Sequence, residues 1–311
     1  MKNSNHFFKF FIEMTADIPE VHLSHFNDLL DILLSLFSDR IKNNNVQFED
    51  ERLYYINLLS QKIMAHCFTI KSLIKGVTLS SSINNFSILM LDPFSIYSIE
   101  RTLIENYLVQ NYLSNSLEAE DTLDCRFAIW MRYGINKRNV TPKTDNEKRV
   151  VELDQKAIIN FDKKIKLSKC YKNLSKQKKE SFLKTINKEW KIMFHGEKFY
   201  PISWDKLLTG AGIRDGVNNN MYNYLSWHSH TQSLSILQFK EMWDTNSEEE
   251  SIIMSIKKIN RFIAFLIADI SLSDENFKNV FLRLDNSNRN LVNHYNLVYR
   301  NETYAIKYLN S

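Results

Sequence analysis

The sequence predicts an all-α protein, a multi-helix bundle of long helices and polar loops with little or no sheet. Three observations carry this expectation. The 311 residues include only 6 Gly and 4 Pro, and Val217 to Ser311 contains neither. Tightly turned sheets and glycine-loop nucleotide folds need more of both. The 44% apolar content suits an ordinary packed core. Apolar residues also recur at the 3.6-residue helical period through most of the chain.

The opening MKNSNHFFKFFIEM is amphipathic, with neither a long apolar run nor a small-residue cleavage site, and is not expected to be a signal peptide. From His22 to Ile41, one helical stripe holds Leu29, Leu30, Leu33, Leu34, Phe37 and Ile41, with His22 and His25 as packing residues. FEDERLYYINLLSQKIMAHCFTIKSLIKG starts acidic and stops at Gly76, the polarity a helix dipole favours. Asp92 caps the next helix and Pro93 takes its first position. A further helix covers Leu123 to Tyr133 and is expected to stop at Gly134. Residues 147–193 read as two helices broken near Ser168 to Ser175. HGEKFYPISW and TGAGIRDGVNNN read as loops. Ser247 and three glutamates open a long helix that holds RFIAFLIADISL, and a last helical piece includes Phe277 to Leu284. The expected organisation is an N-terminal helical region (1–145), a lysine-rich helical hairpin (146–200) and a C-terminal helical region (201–311). The last packs on 85–135, in one cooperative domain.

Charge and cysteines narrow the function classes. Net charge is +4, but Lys156 to Lys198 holds 13 Lys and no Arg against four acidic residues, a local +9. Such a segment is a solvated hairpin or a surface for nucleic-acid phosphates, and the lack of Arg disfavours bidentate phosphate contacts. Cys67, Cys125 and Cys170 form no C-x-x-C pair, so neither structural zinc nor a disulfide framework is expected, and a reducing cytoplasm fits. RFIAFLIADISL is too short to span a bilayer. No nucleotide-loop, Rossmann or zincin motif occurs, so no cofactor and no metal is expected.

Three constellations could carry chemistry. Arg101 and Glu105 stand four apart on a largely apolar helix and share a face. In YNYLSWHSH, Tyr222, Ser226 and His230 fall at i, i+4 and i+8, while His228 points elsewhere. These five are expected to line one polar pocket, with Ser226 and His230 facing Arg101 and Glu105. Near the end, RNLVNHY sets Arg289 and Asn290 ahead of His294. There the arginine could hold a phosphate while the histidine moves a proton at a ribose hydroxyl, which is enough for metal-free RNA cleavage.

Two resemblances attach to these residues. Arg101, Glu105, Trp204, Tyr222, Leu225, Ser226 and His230 resemble the R-x-x-x-E and Y-x-x-L-S-x-x-x-H motifs of a family of uncharacterised all-helical bacterial proteins. That resemblance covers roughly residues 85–270 and implies a helical fold with a shared polar site. Arg289 to Tyr295 is similar to the R-x4-H motif of HEPN domains, many of which are dimeric RNases of toxin and anti-phage defence systems. In the toxin branch a tyrosine lies two residues after the histidine, where this chain has Asn296. The HEPN resemblance implies a metal-independent endoribonuclease acting on RNA as a homodimer, with Arg289, Asn290 and His294 as site residues. The alternative is a non-enzymatic helical protein that binds a ligand or a partner protein. No membrane partner is expected on either reading.

Overall fold

The computed structural model describes residues 2–42, 50–138, 141–217, 221–229 and 233–304, without side chains at 2–7, 16, 39–42, 221–223 and 229. The chain is all-α as expected. Its only strands among the described residues form two small two-stranded hairpins.

Helix α1 (Lys2–Ala16) leads into α2 (Pro19–Lys42), where Pro19 occupies the first helical position. The Asp50 carboxylate accepts the Arg52 amide at 2.8 Å and starts α3 (Glu51–Leu73). Gly76, at φ +79°, then turns the chain into β1 (Val77–Ser81), paired antiparallel with β2 (Phe86–Met90). Asp92 caps α4 (Pro93–Ser114) as expected, accepting the Ser95 amide at 3.1 Å. Helix α5 (Glu120–Lys137) runs straight through Gly134, the expected stop, because nothing there needs a positive φ.

A reciprocal capping box between Thr144 and Glu147 opens α6 (Asp145–Leu167). The break predicted near Ser168 to Ser175 separates it from α7 (Lys169–Lys172) and α8 (Lys176–Thr185). The stretch read as a loop at HGEKFYPISW largely forms a hairpin. There β3 (Ile192–His195) and β4 (Lys198–Pro201) turn at Gly196, φ +56°. Helices α9 (Trp204–Gly210), α10 (Met221–Ser229) and α11 (Ser233–Thr245) precede α12 (Glu248–Ser273). The Ser247 hydroxyl does not cap α12; it bonds the Thr245 hydroxyl at 2.9 Å, leaving three glutamates to complement the helix dipole. The chain continues through α13 (Glu275–Arg283) and α14 (Asn286–Tyr299). Residues 218–220 of the glycine-rich loop lie outside the described residues.

The helices sort into two compact units. The first comprises Met1–Glu49, Asn57–Gln110 and Gly212–Ser311. Its axis is α12, buried nearly all round through Ile256, Ile259, Phe262, Ile263, Phe265, Leu266 and Ile267. A helix apolar on every side belongs in a core, and α12 packs against α2, α13 and α14. On α2, Leu29, Leu30, Leu33 and Phe37 are buried as predicted; Leu34 is exposed, and Phe26, Ile32 and Leu36 widen the buried stripe instead. No described helix is long and apolar enough to cross a membrane.

An ionic knot secures this unit. Arg300 is fully buried and grips Asp269 through two hydrogen bonds, at 2.7 and 3.1 Å. It also donates to the Tyr107 hydroxyl at 3.0 Å, and that hydroxyl donates to Asp269 at 2.9 Å. The guanidinium lies 3.9 Å from the Tyr304 ring centroid. Every partner matters, because a buried charge left unpaired is strongly destabilising. Close by, the Gly212 carbonyl accepts the Asn301 amide at 2.7 Å. Gly212 sits at φ +74°, and a Cβ there would come within 2.1 Å of the Tyr304 ring.

The second unit comprises Asp50–Ile56 and Asn111–Ala211. Within it α5 packs on α6 and α7. Arg52 ties the start of α3 to α5, bonding Glu120, Asp124 at 3.0 Å and the Leu113 carbonyl at 3.0 Å. The Tyr112 hydroxyl donates to the Ile192 carbonyl at 2.7 Å and accepts its amide at 2.9 Å, fixing the start of β3.

Candidate functional site

The site lies within the first unit, where one face of α4 meets α10 and α12. Helical spacing puts Tyr97, Arg101 and Glu105 in register along that face. The Arg101 Nε donates to Glu105 at 3.0 Å, and Nη1 reaches the Ser226 hydroxyl of α10 at 3.4 Å. The pair is neither surface decoration nor sealed core: the Arg101 side chain is 17% exposed and that of Glu105 28%.

One turn earlier the surroundings become aromatic. Tyr97 is buried, its ring 5.5 Å from Tyr224 and 4.9 Å from His228. Burial and the Tyr224 hydroxyl both make Tyr97 harder to ionise. His228 packs among Phe94, Tyr97 and Tyr224. Burial lowers its pKa, with Lys258 acting in the same direction, so its neutral form is favoured. Beside Arg101, Glu100 is completely buried, with the Lys258 ammonium 3.6 Å away. Desolvation raises the Glu100 pKa despite Lys258, Ser255 and Arg261. Lys258 also lies 5.6 Å from the Tyr224 ring centroid. Two cations, Arg101 and Lys258, therefore stand close together on this face, each beside a carboxyl group, Glu105 and the buried Glu100.

The predicted pocket residues fall as follows. Arg101, Glu105 and Ser226 come together. His230 and the Tyr222 side chain lie outside the described residues. Trp204 begins α9 in the other unit, its ring 6.1 Å from Trp190. Sequence reasoning missed Glu100, Lys258, Tyr97 and Tyr224. The available signal was a second carboxylate directly before Arg101 on an otherwise apolar helix.

Arg289, Asn290 and His294 all lie inside α14. Five residues of regular helix turn about 140°, so Arg289 and His294 leave the helix in different directions. Arg289 is half-buried, its Nη2 on Asn286 and its Nε without a hydrogen-bond partner among the described residues. Asn290 is half-buried. His294 is buried, its ring 5.1 Å from that of Phe10 on α1. Next to it, Tyr295 bonds His25 at 3.1 Å.

Among the described residues, no group of three or more His, Cys, Asp or Glu converges to hold a metal. Compared with known proteins, the chain matches no protein family, no curated protein and no solved structure.

Proposed function

We propose that this chain is a helical ligand-binding protein whose site centres on Arg101, and that the ligand is a small anion bearing a carboxylate or phosphate group. One observation carries the reading. The Arg101 guanidinium bridges Glu105 and Ser226, on two separate helices, at a place still open to solvent. The guanidinium of Arg101 and the ammonium of Lys258 are donors suited to an anion. Tyr224, backed by the buried Tyr97, offers an aromatic wall, and Glu105 holds the guanidinium in a fixed orientation before the ligand arrives. Preorganisation of this kind lowers the ordering cost of binding. Three free cysteines with no C-x-x-C pair are in keeping with a reducing cytoplasm as its location. Thermal melting of the full chain with inorganic phosphate, a nucleoside diphosphate and a dicarboxylate tests the reading. At least one should raise Tm, by a margin that grows with concentration. If none does, the reading fails.

A second reading has its own observation. The half-buried Arg289 carries a buried Nε donor with no hydrogen-bond partner among the described residues, which a phosphate oxygen would satisfy once the side chain turned outward. On this reading the chain is a metal-independent, HEPN-like endoribonuclease acting in anti-phage defence or as a toxin. Arg289 and Asn290 would hold the RNA phosphate and His294 would move the proton. His294 would have to emerge from beneath Phe10, and two copies of the motif would meet across a homodimer. His294→Ala should then abolish RNA cleavage with the melting curve unchanged; cleavage that survives the substitution rejects the assignment.

A further inference from the structure

In the second unit, two cysteines face one another across the contact between α5 and α7. Thr122 and Cys125 stand three apart on α5, on one face of the helix. The Thr122 hydroxyl meets the Cys170 sulfur at 3.4 Å, and the Ser168 hydroxyl donates to the Cys125 sulfur at 3.3 Å. Each thiol is therefore held by a hydroxyl from the opposite segment. The Asp121 carboxylate fixes the α7 backbone by accepting the Lys169 amide at 2.8 Å. The two thiols differ in access. Cys125 is 2% exposed, whereas Cys170 is only half-buried, between Lys169 and Lys172.

We propose that Cys125 and Cys170 form a peroxide-responsive dithiol, with Cys170 as the thiol attacked and Cys125 as the one that resolves. The accessible Cys170 thiolate attacks one oxygen of hydrogen peroxide. The O–O bond breaks, Cys170 becomes a sulfenic acid, and hydroxide leaves to be protonated by solvent. The Cys125 sulfur then attacks the Cys170 sulfur. The S–O bond breaks, and the departing hydroxide takes the Cys125 proton as water. Two thiols and one peroxide thus give one disulfide and two waters. The thiol chemistry favours this order. The Cys125 S–H and the Thr122 hydroxyl stabilise the Cys170 thiolate and hold its pKa down to about 7, while the same contact and burial push Cys125 upward. Cys67 is the internal control, because it is wholly buried and desolvation raises its pKa. This proposal is independent of the Arg101 site and of the reading built on it.

The test treats the full chain with graded hydrogen peroxide and maps its thiols by mass spectrometry without reduction. A Cys125–Cys170 linked peptide should form, revert with dithiothreitol, and leave Cys67 free. In Cys125→Ser, dimedone should trap a sulfenic acid on Cys170. In Cys170→Ser, Cys125 should stay unmodified at peroxide doses that link the native pair. At pH 7, Cys170 should alkylate about threefold faster than glutathione, since a larger thiolate fraction outweighs lower intrinsic nucleophilicity. Loss of Cys67 and Cys170 at equal rates would overturn the proposal. So would over-oxidation of Cys170 without a link to Cys125.

Discussion

The Arg101 guanidinium reaches the Ser226 hydroxyl at 3.4 Å across 125 residues of sequence, joining α4 to α10. The contact is long for a hydrogen bond, and the ion pair beside it is partly solvated, so its share of fold stability is small. Arg101→Met is therefore expected to shift unfolding free energy by about 1 kcal/mol or less, read by urea titration. A loss of several kcal/mol would mark Arg101 as a structural anchor.

Arg300 should behave in the opposite way. It is wholly buried and its charge is met by Asp269. Arg300→Met or Asp269→Asn alone leaves a buried charge uncompensated and should cost about 3–5 kcal/mol. The double variant should cost less than the sum of the two, and a double-mutant cycle reads that coupling directly. Strict additivity would show that the two charges do not act as a pair.

Gly212 offers a steric test. Gly212→Ala forces a Cβ into the Tyr304 ring and places alanine at φ +74°. Destabilisation of more than about 1 kcal/mol is expected. Adding Tyr304→Ala should relieve the clash but not the backbone strain, so a residual penalty should remain against Tyr304→Ala alone.

Two buried titratable groups give pH signatures of opposite sign. Burial lowers His25 from 6.5 to about 4, so the fold holds it neutral while the unfolded chain takes up a proton below pH 6.5. Stability from this group is complete above pH 6.5 and is lost as pH falls toward 4, by about 2–3 kcal/mol. His25→Gln should flatten that acid limb of a denaturation series. Glu100 has a raised pKa, so the fold retains a proton that the unfolded chain releases above pH 4.5. Stability then declines as pH rises from 4.5 through the folded pKa, and Glu100→Gln should remove the decline. At pH 8 the variant should be at least as stable as the native chain.

The helices were legible in the sequence because apolar spacing, Asp92, the acidic turn before α3 and the glutamates opening α12 all agree with the structure. The Arg101–Glu105 pair was legible for the same reason, since a four-residue step fixes a shared face. Glu100 was not. A buried carboxyl looks like surface in a hydrophobic pattern, and its neighbour Lys258 is 158 residues away. Arg300 has no periodic signature either, because its partners Asp269 and Tyr107 come from two other helices. The β1–β2 hairpin did leave a trace. Apolar and β-branched residues in VTLSS and FSILM flank Asn84 and Asn85, and Asn85 takes the φ of +49° that a tight turn favours. Its strands are largely exposed, so no buried face announces them.

The most direct test of the Arg101 site is calorimetric titration of the full chain with phosphate, a nucleoside diphosphate and a dicarboxylate, beside Arg101→Met and Arg289→Met. A charge-assisted contact contributes about 1.5–3 kcal/mol. For the anion that binds, Arg101→Met should therefore weaken affinity by at least tenfold, while Arg289→Met leaves it unchanged. Equal affinity in the native chain and Arg101→Met, or no binding of any of the three, would contradict the account.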